Sequence, residues 1–202
     1  EINFAKALQM SLYFYDANKC GSGITGGNLE WRGDCHTEDA AVPLKPMGED
    51  YKGTNLSQKF IDAHRDILDP DGDGTIDVAG GMHDAGDHVK FCLPGSYAAS
   101  TLGWGYYEFR DAYVDSGQQW HIEDILHWFN DYYLKCTYFD ENGDILAFCY
   151  QVGEGNIDHN YWNAPELQNE SLLDFARPAY FATVETPASD MCAGVAASLA
   201  VN

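Results

Sequence analysis

Apolar residues recur at helical spacing in five segments of the chain. In residues 4–16, Phe4, Leu8, Leu12 and Tyr15, with Ala7 beside them, share one face. Asn3 is placed to cap this helix, and Gly21 follows its end. Residues 57–68 repeat the pattern, with Ser57 as N-cap and Phe60, Ile61, His64 and Leu68 on one side. A third helix starts near Pro94, a good first-turn residue, and carries Ala98, Leu102, Tyr106, Phe109 and Tyr113 as its stripe. The fourth runs over 118–135 on Ile122, Ile125, Leu126, Phe129, Tyr132 and Tyr133. A last helix begins near Ser189 or Asp190, with Met191, Val195 and Leu199 four apart, and nothing after it to cover its apolar face.

Residues 138–152 instead read as two strands around a turn tipped by Asn142-Gly143. Residues 17–56 and 153–187 hold no period and are expected as long loops. A fold of helices joined by long loops carries its chemistry in the loops.

Composition narrows the function classes. The 202 residues are 45% hydrophobic and 14% aromatic, which is globular and not disordered. Eleven basic against 32 acidic residues give a net charge of −21. That balance argues against nucleic acid and against an anionic membrane surface as partners. No apolar run reaches the ~18 residues of a membrane span. No basic-then-apolar leader opens the chain, so a signal peptide, if one existed, has been removed. The six cysteines (20, 35, 92, 136, 149 and 192) form no C-x-x-C pair, which argues against a zinc ribbon or thioredoxin motif. Disulfides of a secreted protein and buried free thiols both remain open.

Four segments carry candidate chemistry. Gly21-Ser22-Gly23-Ile24-Thr25-Gly26 matches the spacing of a dinucleotide fingerprint, but it follows a helix and opens none, so a flexible loop is expected. Asp69, Asp71, Asp73 and Asp77 occupy positions 1, 3, 5 and 9 of an EF-hand-like loop, with Gly74 at 6 and the Thr75 carbonyl at 7. Carboxylates this close repel unless a hard cation joins them, so Ca2+ is the expected cofactor. Position 12 is Gly80, so the last ligand has to come from elsewhere or from water. Asp84 and Asp87 lie three apart around Gly86, flanked by His83 and His88. A tight turn there sends both carboxylates to one side, where they can share work on a water; a metal hydrolase site or a simple turn pair competes. Residues 158–166 set His159, Tyr161 and Trp162 among Asn160, Asn163 and Glu166, a mixture suited to the apolar faces and hydroxyls of sugars.

Taken in order, these residues resemble the catalytic domain of family 9 glycoside hydrolases, the cellulases. Asn3-Phe4-Ala5-Lys6-Ala7-Leu8-Gln9, Phe14-Tyr15 and Trp31-Arg32-Gly33-Asp34 are similar to the family's opening. Gly80-Gly81, then His83-Asp84-Ala85-Gly86-Asp87-His88-Val89-Lys90-Phe91, resembles its Asp-Ala-Gly-Asp hallmark. Gln151-Val152-Gly153, Asp158-His159, Trp162, Glu166, Arg177-Pro178 and Ser189-Asp190 continue the likeness. The resemblance implies an all-α (α/α)6 barrel, here its N-terminal portion over 1–202, with a small β-hairpin near 138–152. It implies inverting hydrolysis of β-1,4-glucosidic bonds, with Asp87 as general base, Asp84 helping to hold the water, and His159 and Trp162 contacting substrate. Cellulose or a cello-oligosaccharide and the remainder of the catalytic domain are the implied partners, in a secreted, extracellular protein. The family's general acid, a glutamate far toward the C-terminus of a domain more than twice this long, has no counterpart here. That gap leaves a second reading, a non-catalytic carbohydrate-binding relic, and the 69–77 loop a third, a calcium-dependent interaction module.

Overall fold

The computed structural model describes residues 2–202. Its elements are α1 (Phe4–Asn18), β1 (Val42–Pro43), α2 (Gln58–Leu68), β2 (Thr75–Ile76), β3 (Lys90–Phe91), α3 (Cys92–Glu108), α4 (Arg110–Asp115), α5 (Gln119–Lys135), β4 (Thr137–Phe139), β5 (Ile145–Val152), the single turn α6 (Gly155–Asp158), β6 (Ala179–Ala182) and α7 (Ser189–Val201). Both N-caps read from the sequence are formed. Asn3 Oδ1 accepts from Lys6 N–H at 2.9 Å, and Ser57 Oγ accepts from Phe60 N–H at 3.0 Å.

α5 is the central helix. All six residues of its expected stripe are buried, and they pack against α1, α3 and α7. The third helix does not run through to Tyr113. Phe109 leaves helical geometry (φ −123, ψ 33), the helix breaks into α3 and α4, and Phe109 itself is exposed. Phe4, expected on the inner face of α1, is also exposed. α7 lies along α3, so its apolar face does find a partner within the chain. Contact is close there: a Cβ on Gly194 would sit 2.4 Å from Ser96 Oγ.

The expected hairpin forms, with Gly143 at φ +83 and Asp140 accepting from Asn142 and Asp144 N–H. It is only half of a four-stranded antiparallel sheet. β5 pairs with β4 (Tyr138↔Ala147), β3 (Phe91↔Gln151) and β6 (Val152↔Ala179). β3 ties the Asp84–Asp87 turn to this sheet, and β6 gives the 153–187 segment, expected as loop, a strand that anchors it. The Gly21–Gly26 segment is an ordered turn, with Asp34 Oδ1 accepting from the N–H groups of Ile24 and Thr25 at 2.9 Å each.

Candidate functional site

The Asp84–His88 turn is held from several directions. Asp84 N–H donates to Val89 O at 2.9 Å, closing the turn. His88 N–H donates to Asp158 Oδ1 at 2.7 Å, and Arg177 Nη1 donates to His88 O at 2.5 Å. Arg177 also grips Asp39 with two N–H groups, at 3.0 and 2.7 Å, while Lys90 Nζ lies 2.9 Å from Asp39 Oδ2. Asp39, Lys90 and Arg177 are all buried, and the two cations hold the Asp39 carboxyl far below the usual carboxylate range despite its burial. Lys90 also donates to Val78 O and Gly80 O, so this cluster braces the strand end just before the turn.

On that base the turn presents two different carboxylates. Asp87 is buried, and its Oδ2 takes a hydrogen bond from His159 Nε2 at 2.6 Å. Asp84 is more open; partial burial and then the charge of Asp87 push its pKa above the ordinary value. Trp162 stands over the turn. Its Nε1–H donates to His159 O at 2.6 Å, and its indole remains 69% exposed. The ring sits so close to Gly86 that a Cβ there would fall 2.6 Å from Trp162 Cζ3. The structure therefore brings Asp84, Asp87, His159 and Trp162 together. Glu166 is not free for a sugar: its Oε1 accepts from Arg32 Nε at 2.7 Å and Gly33 N–H at 2.8 Å, locking the opening segment to the 158–168 loop.

The acidic loop divides. Carboxylate oxygens of Asp69, Asp71 and Asp73 lie within 4.8 Å of one another. Asp77, read as a fourth ligand, points away: its Oδ1 pairs with Lys135 Nζ at 2.6 Å and accepts from Ala79 N–H. Thr75 begins β2, and its N–H and hydroxyl both donate to Asp73 Oδ1.

Sequence reasoning missed a second donor set. Cys20, Cys35, His36 and His83 are all buried and bring one ligand atom each within 4.8 Å of the others. The six thiols are free, so neither cysteine is consumed in a disulfide. His36 Nδ1 lies 3.2 Å from His83 Nε2. Gln168 Oε1 accepts from His36 Nε2–H at 2.9 Å and from His88 Nδ1–H at 2.7 Å, which leaves the His36 Nδ1 lone pair pointing into the cluster. Burial and the neighbouring His36, His88 and arginines keep His83 neutral, as a ligand imidazole must be. Two thiols and two imidazoles, of which Gln168 orients His36, fit a closed, four-ligand structural zinc site. Such an ion would join the end of α1, the 35–36 segment and the start of the Asp84–Asp87 turn; it has no open position for chemistry. The absence of C-x-x-C hid it, because its donors are spread over residues 20–83 and only the fold assembles them. The one local signal was Cys35-His36, where His36 adopts a left-handed φ of 48° that a non-glycine residue takes only when its surroundings impose it.

Comparisons with known proteins give the family and the fold. The profile of glycosyl hydrolase family 9 matches residues 4–202. The chain is 32% identical over 200 residues to endoglucanase 4 of Bacillus sp. (strain KSM-522), covering 99% of this chain and 25% of that protein. It superposes on the catalytic domain of Clostridium thermocellum CelT with a TM-score of 0.91 and 53% identity, covering 100% of this chain and 39% of the other. The cellulase Cel9M of C. cellulolyticum, solved in complex with cellobiose, matches with a TM-score of 0.70 and 34% identity over 100% of this chain and 38% of its own. The helices and small sheet described above are thus part of the (α/α)6 barrel seen in these catalytic domains. The chain spans well under half the length of these relatives.

Proposed function

The chain belongs to glycosyl hydrolase family 9, and from that premise we propose that it is the N-terminal, base-bearing portion of a catalytic domain that hydrolyses β-1,4-glucosidic bonds of cellulose or related β-glucans with inversion. The observation that carries this reading is the single turn on which a buried Asp87 and a more open Asp84 sit beneath the exposed indole of Trp162. Trp162 offers a flat apolar platform for a pyranose face, and the carboxylates lie at its edge. Asp87 is the general base. His159 holds its Oδ2, which fixes the carboxylate and leaves Oδ1 to take the proton of the attacking water. Asp84 accepts a hydrogen bond from the other O–H of that water, which stays on the oxygen as the product hydroxyl, and so sets its line of attack.

Inversion needs an acid on the opposite side of the bond, about 6.5–9.5 Å from the base, to protonate the leaving oxygen. We assign that role to a glutamate supplied by the remainder of the domain. Exposed Tyr97, Trp104 and Tyr107 on α3 give that remainder an apolar face to cover. Cello-oligosaccharides, which a family relative such as Cel9M binds as cellobiose, are the proposed ligands. An insoluble polymer cannot enter a cell, so the enzyme acts outside it. Among the described residues no helix is long and apolar enough to cross a membrane.

The test is Asp87→Asn in the full-length polypeptide. Release of reducing ends from carboxymethyl-cellulose should fall by about 10²–10⁴-fold, the usual contribution of a general base, with the melting temperature preserved. An unchanged rate would remove Asp87 from this role.

A further inference from the structure

The loop between α2 and β2 takes no part in the proposed reaction, yet it is built around a buried carboxylate oxygen that nothing bonds. Asp69 ends α2, its N–H donating to Arg65 O at 2.8 Å and its carbonyl accepting from Gly72 N–H at 3.2 Å. The chain then folds back over its side chain. Asp69 Oδ2 accepts from Gly74 N–H at 3.0 Å, which fixes the carboxylate inside the loop. Asp69 Oδ1 is buried and has no hydrogen-bond partner among the described residues. The side chain as a whole is 1% exposed. Leaving a polar atom in that state costs on the order of 1–3 kcal/mol, and more when it is charged.

The surroundings sharpen the deficit. Asp71 and Asp73 direct carboxylate oxygens to within 4.8 Å of that of Asp69. The nearest basic group is Arg65, whose Nη1 stands 3.6 Å from Asp69 Oδ2 and whose Nη2 is shared with Asp62 at 3.6 Å. It touches the oxygen that is already bonded and leaves Oδ1 unmatched. Gly72 and Gly74 have φ of +74 and +84 with open space where a Cβ would be. They are glycines because the backbone must turn inward there, not because anything crowds them.

We propose that Asp69, Asp71 and Asp73 bind one Ca2+ ion, completed by the Thr75 carbonyl and water. Oxygens this far apart can all reach an ion that bonds at about 2.3–2.6 Å, and a loop that offers few protein ligands suits calcium's tolerance of irregular geometry better than magnesium's strict octahedron. Asp77 is excluded because Lys135 holds it, and the twelfth position is Gly80, whose carbonyl goes to Lys90. The site is therefore a partial EF-hand loop ended early by β2.

Its effect follows from what the loop leads into. Leu44 N–H donates to Gly74 O at 2.9 Å, and β2 pairs Thr75 with Pro43. Val78 N–H donates to Asp39 O, and Lys90 reaches Val78 O. An ion at Asp69 thus pins the loop to the buried Asp39 cluster, and its binding appears as stability and not as turnover chemistry.

The test uses the full-length polypeptide, stripped with chelator and titrated with CaCl2 by calorimetry. Asp71 and Asp73 are exposed, so Asp71→Asn and Asp73→Asn keep the fold, which circular dichroism checks. Wild type should bind one more equivalent of Ca2+ than either variant, or bind it at least tenfold more tightly, and its melting temperature should rise with Ca2+ while those of Asp71→Asn and Asp73→Asn rise less. Asp62→Asn, outside the loop on α2, should behave as wild type. Equal calcium binding in wild type, Asp71→Asn and Asp73→Asn would overturn the proposal, as would equal tightness for MgCl2 or an equal loss in Asp62→Asn.

Discussion

His159 Nε2 lies 2.6 Å from Asp87 Oδ2 and donates to it, joining the two segments of the site through one hydrogen bond. A residue that only contacted sugar would act mainly on KM. His159→Ala should instead lower kcat by about 10–100-fold, since a hydrogen bond to a charged group contributes about 1.5–3 kcal/mol. Steady-state kinetics on a soluble cello-oligosaccharide separates the two; a change confined to KM would leave the bond without a role in turnover.

Asp84 has its pKa raised by burial and by the charge of Asp87. It therefore takes up a proton at a higher pH than an ordinary aspartate, for which the midpoint is about 3.9. If the water needs both carboxylates ionised, kcat/KM falls on acidification with a midpoint above that value. A pH profile with full activity retained down to pH ~4 would show that Asp84 works as well when protonated.

Gly86 has no room for a methyl group under Trp162. Gly86→Ala should push the indole off the turn and weaken cello-oligosaccharide binding to about the extent of Trp162→Ala, while Trp162→Phe retains part of it. Stacking on an exposed ring is worth about 0.5–1.5 kcal/mol, so the expected loss is about 2–12-fold in Kd, read by tryptophan fluorescence titration. Unaltered affinity in Gly86→Ala would mean the ring is not a platform.

The Cys20–Cys35–His36–His83 set should carry about one zinc per chain, measured by elemental analysis of the purified full-length polypeptide. Cys35→Ser should lower both zinc content and melting temperature. Gln168→Ala, which releases His36 from its oriented tautomer, should weaken zinc by about 10–100-fold. A zinc-free protein with unaltered melting temperature would reduce these residues to core packing.

Asp39 sits between Lys90 and Arg177 with its carboxyl held far below the usual range. A carboxylate with a depressed folded pKa stabilises fully above its unfolded value and loses that contribution as pH falls toward the folded one. Resistance to denaturant should therefore fall as pH drops below about 4. Asp39→Asn leaves buried Lys90 without a counter-charge and Arg177 with only Asp158 at 3.9 Å, and should cost about 3–5 kcal/mol at neutral pH. Its stability should then depend less on pH in the acid range than that of wild type.

The sequence alone determined the helices, because a stripe such as Ile122, Ile125, Phe129 and Tyr133 is a local property that any burial will realise. It also located the Asp84–Asp87 turn and the Asp69–Asp73 loop, since both lie within a few residues whose glycines and carboxylates constrain one another directly. Tertiary structure decided everything that depends on distant partners. β6 is four residues long and exists only because β5 lies beside it. Asp77 looks like a ligand in the sequence and is claimed by Lys135 across the fold. Glu166 looks like a sugar contact and is claimed by Arg32. Cys20, Cys35, His36 and His83 have no spacing that points to a metal, because their convergence is a matter of how α1, the 35–36 segment and the Asp84 turn pack. Periodicity and turn chemistry act over one or two turns of chain, whereas a buried charge or donor takes whichever partner the completed fold brings within about 3 Å.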